Sequence, residues 1–184
     1  ENLRHISEIG YHPSWSPDGK QLVVAMFGRD QPTVRASPGL SLQVIDVQSK
    51  SRTDIIKAEA SFPAWSPNGH RIAYWFYTGT YGRREIATVP AGGGEAVVIA
   101  KDFAVSNWNP VWSPDGKFLY FVSSRAGNMN FWRVPIDELT GAALGEPEPA
   151  VAPSVFSRHI TFSRDGRRMV YVQTNNRANI QGVE

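Results

Sequence analysis

The sequence predicts an all-β fold, a β-propeller of four-stranded antiparallel blades, and three observations carry that prediction. One unit recurs four times: Pro13-Ser-Trp-Ser-Pro-Asp-Gly-Lys20, Pro63-Ala-Trp-Ser-Pro-Asn-Gly-His70, Pro110-Val-Trp-Ser-Pro-Asp-Gly-Lys117 and Ile160-Thr-Phe-Ser-Arg-Asp-Gly-Arg167. The aromatics that anchor it, Trp15, Trp65, Trp112 and Phe162, stand 50, 47 and 50 residues apart. That spacing suits one blade per unit, whereas helical repeats are shorter and need a helical hydrophobic period that is missing here. Finally, 13 Pro and 16 Gly in 184 residues favour many short strands and turns over long helices.

Each unit encodes its elements in the same order. The anchor aromatic, Trp15, Trp65, Trp112 or Phe162, is expected to pack blade against blade because it recurs in register, and it lies in a short first strand followed by a Ser-Pro-Asp-Gly turn. Pro presets φ in that turn, and Asp or Asn followed by Gly accepts the left-handed geometry that closes a hairpin. Arg164 replaces Pro in the fourth unit, where Asp165 and Gly166 still supply the turn. Second strands follow at Leu22–Phe27, Ile72–Tyr77, Phe118–Val122 and Met169–Val172. Both alternating faces of these runs are apolar, as a strand packed between two neighbouring blades requires. Third strands are expected at Leu42–Asp46, Ile86–Pro90, Phe131–Pro135 and Ile180–Glu184, and more polar fourth strands around Thr53–Lys57, Glu95–Ala100 and Glu148–Ala152. Pro13, Pro63 and Pro110 fall in first strands, which is tolerable only at an edge, here the edge lining a central channel.

The expected organisation is a single propeller region over residues 1–184, with repeats at about 8–57, 58–100, 101–153 and 154–184. Residues 1–7, with Leu3–Ile6 as the strand, would supply the fourth strand of a preceding or closing blade. Either they close a small four-bladed ring, or the chain is four blades' worth of a larger propeller. The absent initiating Met and the frame shifted by one strand favour the larger propeller.

Bulk composition narrows function by exclusion. A net charge of +2 with scattered Lys and Arg gives no basic stripe, so no nucleic-acid partner is expected. With no Cys, disulfides, thiolate zinc sites and Cys nucleophiles are out of reach. No apolar run approaches the roughly 18 residues of a membrane span. Nucleophile-elbow, zinc-protease and Walker sequences are missing, and Gly92–Gly94 falls between two strands rather than before a helix. No catalytic residue, cofactor or metal site is therefore expected, and the chain is read as not an enzyme.

The run P-x-W-S-P-[DN]-G-[KH] followed by an apolar strand resembles the WD-like repeat of TolB-type propellers, in four copies over nearly the whole chain. The resemblance implies a ring of six or seven blades in most members, a bacterial source and a periplasmic or otherwise extracytoplasmic location. Cysteine usage by itself is equally compatible with the cytoplasm. Asn130–Asp137 also resembles propeller regions appended to bacterial sensor kinases and winged-helix regulators.

Two groups of residues are candidates for function. On the rim formed by the loops between second and third and between fourth and first strands lie Arg29, Tyr81, Arg83, Trp108, Arg125, Asn128 and Arg177. These are residue types enriched at binding hot spots and in adaptable polar contacts, although surface loops are polar by default. Near the channel, His12 and His159 stand three residues before the anchor aromatic, the place that Phe62 and Asn109 hold in the other two units. Two His with no acidic or thiol companion make a poor metal site. The turn residues Asp18, Asn68, Asp115 and Asp165 are expected to be structural, since Asx side chains bond local backbone N–H groups. The expected function is a non-catalytic sensor module of a larger bacterial protein, binding a protein or small ligand at the rim. The alternative is an accessory propeller that gates substrate access to an enzyme such as a serine peptidase or an amidohydrolase.

Overall fold

The computed structural model describes residues 5–7, 10–26, 41–78, 83–99, 105–150, 157–163 and 165–173. Three four-stranded antiparallel sheets and one two-stranded sheet make up these residues, and no helix occurs among them. The first blade is β1 (Tyr11–Trp15), β2 (Gln21–Met26), β3 (Ser41–Asp46) and β4 (Arg52–Ile56). The second is β5 (Ala60–Trp65), β6 (Arg71–Thr78), β7 (Arg83–Pro90) and β8 (Val97–Val98), and the third is β9 (Asn107–Trp112), β10 (Phe118–Ala126), β11 (Asn128–Pro135) and β12 (Glu148–Pro149). The fourth shows β13 (Ser157–Phe162) and β14 (Met169–Gln173). The third strand expected at Ile180–Glu184 lies outside the described residues. So does most of the expected strand at Leu3–Ile6, and His5–Ser7 are described without strand structure.

The Ser of each turn does more than the sequence suggests. Ser16 Oγ donates to Asp18 at 2.7 Å while accepting from the Gln21 N–H at 2.9 Å, and the Lys20 N–H donates to Asp18 at 3.0 Å. Ser113 with Asp115 and Ser163 with Asp165 repeat this network. The Ser hydroxyl holds the carboxylates of Asp18, Asp115 and Asp165 below the ordinary Asp range. The turn Pro has a second role, as the spacer between blades. A Cβ placed on Gly69, Gly116 or Gly166 would lie 3.7, 3.3 or 3.5 Å from Pro17, Pro67 or Pro114 of the preceding blade.

Apolar packing runs between blades. Val23 and Ala25 of β2 cluster with Trp65, Ile72 and Tyr74 of the second blade. Ala73 and Trp75 of β6 cluster in the same way with Trp112, Leu119 and Phe121 of the third, and Val122 with Ile160, beside Phe162 and Met169, of the fourth. Each blade thus offers one face of its second strand to the next blade. Burial of this kind is the main stabilising term, at about 1.5–3 kcal/mol per large apolar side chain.

One expectation about packing is corrected. The anchor aromatics do not all serve as packing between blades. Trp65 and Trp112 are 9% and 5% exposed, but Trp15 is 54% exposed. Trp112 shows why: its Nε1–H donates to the Ala64 carbonyl of the preceding blade at 3.1 Å. The anchor packs backwards, and Trp15 has no preceding blade among the described residues to meet. At the other flank Val170 and Val172, in the positions that face forwards, are 65% and 50% exposed. Blades whose two flanks are open among the described residues have the geometry of a segment of a larger propeller.

Candidate functional site at the propeller axis

The inner strands β1, β5, β9 and β13 each contain an irregularity at the same place. Their pairing with β2, β6, β10 and β14 slips between Tyr11 and Ser14, between Ser61 and Ala64, opposite Tyr120 and Val122, and between Arg158 and Ile160. At each slip stands one residue in the left-handed region: His12 at φ 52°, Phe62 at 50°, Asn109 at 50° and His159 at 46°. Positive φ is uncommon for any residue other than Gly and least expected for a bulky one such as Phe, and each instance costs on the order of 1–3 kcal/mol. Four repetitions at equivalent positions make this a property of the repeat rather than an accident of one strand. Such bulges re-aim side chains.

These bulges bring the four side chains to one place. The rings of His12 and Phe62 stack at 3.6 Å between centroids, and Phe62 and His159 lie 6.5 Å apart. His12, Phe62, Asn109 and His159 line a single cleft of about 360 Å³, walled by Pro13, Pro63 and Pro110. Packing on Phe62 strips part of the hydration from the His12 ring. That desolvation, and then the nearby His159, lowers the His12 pKa below the ordinary histidine value. Both histidines remain solvent-accessible on the open side of the cleft. Among the described residues no cluster of three or more His, Cys, Asp or Glu offers a metal site.

The rim candidates are only partly described. Arg29, Tyr81 and Arg177 lie outside the described residues. Arg83 opens β7 opposite Thr78, and Asn128 opens β11 opposite Ala126, both exposed. Arg125, half-buried, holds its guanidinium 5.3 Å from the Trp132 ring centroid. Trp108 is half-buried in β9 and covered by Arg84, whose guanidinium is 4.5 Å from its ring centroid. The same Arg84 also lies 4.9 Å from the Trp75 ring and 5.0 Å from the Tyr77 ring, and it donates to the Tyr77 hydroxyl at 3.1 Å. Sequence reasoning singled out Arg83 and passed over its neighbour. The signal that would have found Arg84 is register: in β7 it sits opposite Tyr77, on the side of the aromatic residues Trp75 and Tyr77.

A family profile for the TolB β-propeller domain matches residues 2–183. The chain belongs to the TolB β-propeller domain family. Solved structures agree at the level of fold. TolB from Acinetobacter baumannii superposes over 91% of this chain and 38% of its own, with a TM-score of 0.67 at 20% identity. An oligogalacturonate lyase from Vibrio parahaemolyticus matches over 97% of this TolB-type chain and 52% of its own, with a TM-score of 0.70 at 19% identity. The β-propeller domain of the trilobed protease from Pyrococcus furiosus covers 86% of this chain and 47% of its own, with a TM-score of 0.58 at 16% identity. An uncharacterized protein of Agrobacterium fabrum is 43% identical over 53 residues, which are 26% of this chain and 18% of that protein. The TolB-type chain therefore spans about half or less of the length of these relatives. No helix among its described residues is long and apolar enough to cross a membrane.

Proposed function

We infer that this chain is a non-catalytic binding module, the docking or sensing part of a larger bacterial protein, working outside the cytoplasm as TolB-type propellers typically do. Its ligand, a protein segment or a small molecule, is met by the axial cleft and the strand ends around it. One observation carries this reading: four repeat-equivalent residues hold strained left-handed conformations, and the strain delivers all four side chains to one cleft. Backbone strain repeated at four equivalent positions, where the non-Gly residues described on the opposite rim show it only at Lys50, is better accounted for by recognition than by packing. The rim candidates Arg83, Arg125 and Asn128 extend the same surface in this reading.

A photo-crosslinking residue placed in turn at Asn109, at Asn128 and, as the opposite-face control, at Lys117 tests the assignment. Adducts formed in cells of the source bacterium from Asn109 or Asn128 and absent from Lys117 are expected. Adducts from Lys117 alone would overturn the choice of face. The isolated chain is expected to show no hydrolase or lyase turnover. Activity that survives repurification would instead favour a propeller that takes part in an enzyme's chemistry.

A further inference from the structure

The axial cleft has a chemical character that the binding reading alone does not specify, and the inference below rests on that reading. Its described lining comes from the inner strands of all four blades and contains no Asp, Glu, Lys or Arg. Among the described residues lining it, the titratable groups are the two imidazoles, His12 from β1 and His159 from β13, and the Asn109 carboxamide from β9 adds N–H donors. Phe62, the three prolines, Ala64, Val111 and Ile160 make most of the remaining wall apolar, and Ser14 and Thr161 add hydroxyls. A divalent cation would want three or four good ligands, and the lining offers two imidazoles with no carboxylate or thiolate beside them. A cationic ligand would find no counter-charge. A carboxylate finds three side chains able to offer N–H donors, beside the Ser14 and Thr161 hydroxyls, and its two oxygens suit N–H groups arriving from different blades.

We propose that the axial cleft is a carboxylate-binding site, in which His12 and His159 donate as imidazoliums and Asn109 as an amide to an acidic side chain or a free chain end of a peptide ligand. Protons and ligand are then linked. In the free chain, burial and the neighbouring His159 disfavour charge on His12. A bound carboxylate neutralises the repulsion between the two rings and stabilises their protonated forms. The free chain binds fewer protons than the complex, so affinity rises as pH falls through the histidine range and is lost as pH rises above it. The proposed site is therefore pH-sensitive by construction.

The test uses the whole chain with three peptides: acetyl-tetraglutamate amide, tetra-alanine with a free carboxyl end, and acetyl-tetraglutamine amide as the neutral control. Binding is followed at pH 5.5 and 8.0 by calorimetry and by the imidazole NMR signals of His12 and His159. At least tenfold tighter binding at pH 5.5 is expected for one carboxylate peptide, with both imidazole signals shifting. Whether tetraglutamate or tetra-alanine responds decides between side chain and chain end. His12→Asn and His159→Asn are suitable variants because Asn already occupies this site at φ 50° in the third blade. Each should bring the pH 5.5 affinity to within about threefold of that at pH 8.0, while Lys117→Gln on the opposite turns should leave the tenfold ratio intact. Equal binding of tetraglutamine at the same cleft would overturn the carboxylate assignment and leave the binding module standing. Perturbation of neither imidazole by any peptide, or a pH ratio unchanged in both His variants, would overturn the site itself.

Discussion

Asn68 is the one turn residue of its kind that is not Asp, and changing it to Asp should break a latch between blades. Its side-chain Nδ2 donates to Glu138 Oε2 at 2.7 Å, and its backbone N–H donates to Glu138 Oε1 at 3.0 Å. Glu138 is buried and belongs to the excursion between β11 and β12, which reaches across to the second blade. Arg71, also buried, holds the same excursion by donating to the Leu139 carbonyl while bonding Thr88 through two further nitrogens. Asn68→Asp keeps the backbone bond but turns a charge-assisted donor into a second carboxylate. Losing such a bond costs about 1.5–3 kcal/mol. Two unit charges about 4 Å apart repel by about 4 kcal/mol at an effective dielectric constant of about 20. Asn68 has a solvent-exposed flank, which screens the repulsion and lets the side chain turn away. The net loss expected at pH 7 is therefore about 2–3 kcal/mol rather than the sum. Urea unfolding followed by tryptophan fluorescence reads it as a lowered midpoint. The double variant Asn68→Asp with Glu138→Gln should regain most of the loss, because the Gln amide donates to the new carboxylate. A single variant within about 0.5 kcal/mol of the parent, or a double variant no better than the single, would refute the latch.

Two further outcomes follow from the packing and from the turns. Trp65→Ala should cost about 3–5 kcal/mol, the range for emptying a large buried aromatic site, whereas Trp15→Ala, at the same repeat position but half in solvent, should cost well under half as much by the same denaturation assay. Similar losses at the two positions would mean that Trp15 is covered. Because Ser113 lowers the Asp115 pKa in the folded chain, this group favours the folded state above the ordinary Asp pKa of about 3.9, and its contribution is lost as pH falls through the depressed folded value. Ser113→Ala should move the Asp115 carboxyl titration, followed by carbon NMR, up towards the ordinary Asp value. A titration unmoved by Ser113→Ala would show that the lowering has another source.

The blade frame was legible because several local rules agree on it. Anchor spacing, the Ser-Pro-Asp-Gly turn, the doubly apolar second strands and the edge prolines all specify the same four-stranded unit, and such agreement is what makes a fold readable from one sequence. The strands β2, β3, β6 and β7 accordingly fall where their residues place them. The residues at the channel were legible only as a coincidence of two histidines. His, Phe, Asn and His share no side-chain chemistry, so nothing in their identities announces that the backbone bends at all four sites. Asn68 was visible as a departure from Asp, but its partner stands 70 residues away, beyond any local rule. Trp15 was read as packed because its repeat position is packed elsewhere. Burial depends on the neighbouring blade, and that is a fact of assembly that identity at one position does not carry.

The two faces of the arc are therefore built on opposite principles. On the turn face, contacts of the repeat close on its own blade or a neighbouring one: Ser on Asp, Pro against Gly, Asn68 on Glu138, Arg71 on Thr88 and Leu139. Such bonds fix the spacing and tilt of successive blades. On the axial face the same repeat accepts left-handed residues that relaxed strands avoid, and no described hydrogen bond of the His12 or His159 imidazole offsets the cost. A repeat that satisfies itself at one end and holds strained, accessible side chains at the other has its rigidity and its recognition separated along each inner strand. Substitutions in the turns should therefore read out as stability, and substitutions at His12, Asn109 and His159 as affinity, because the first set positions the blades and the second meets what comes to the axis.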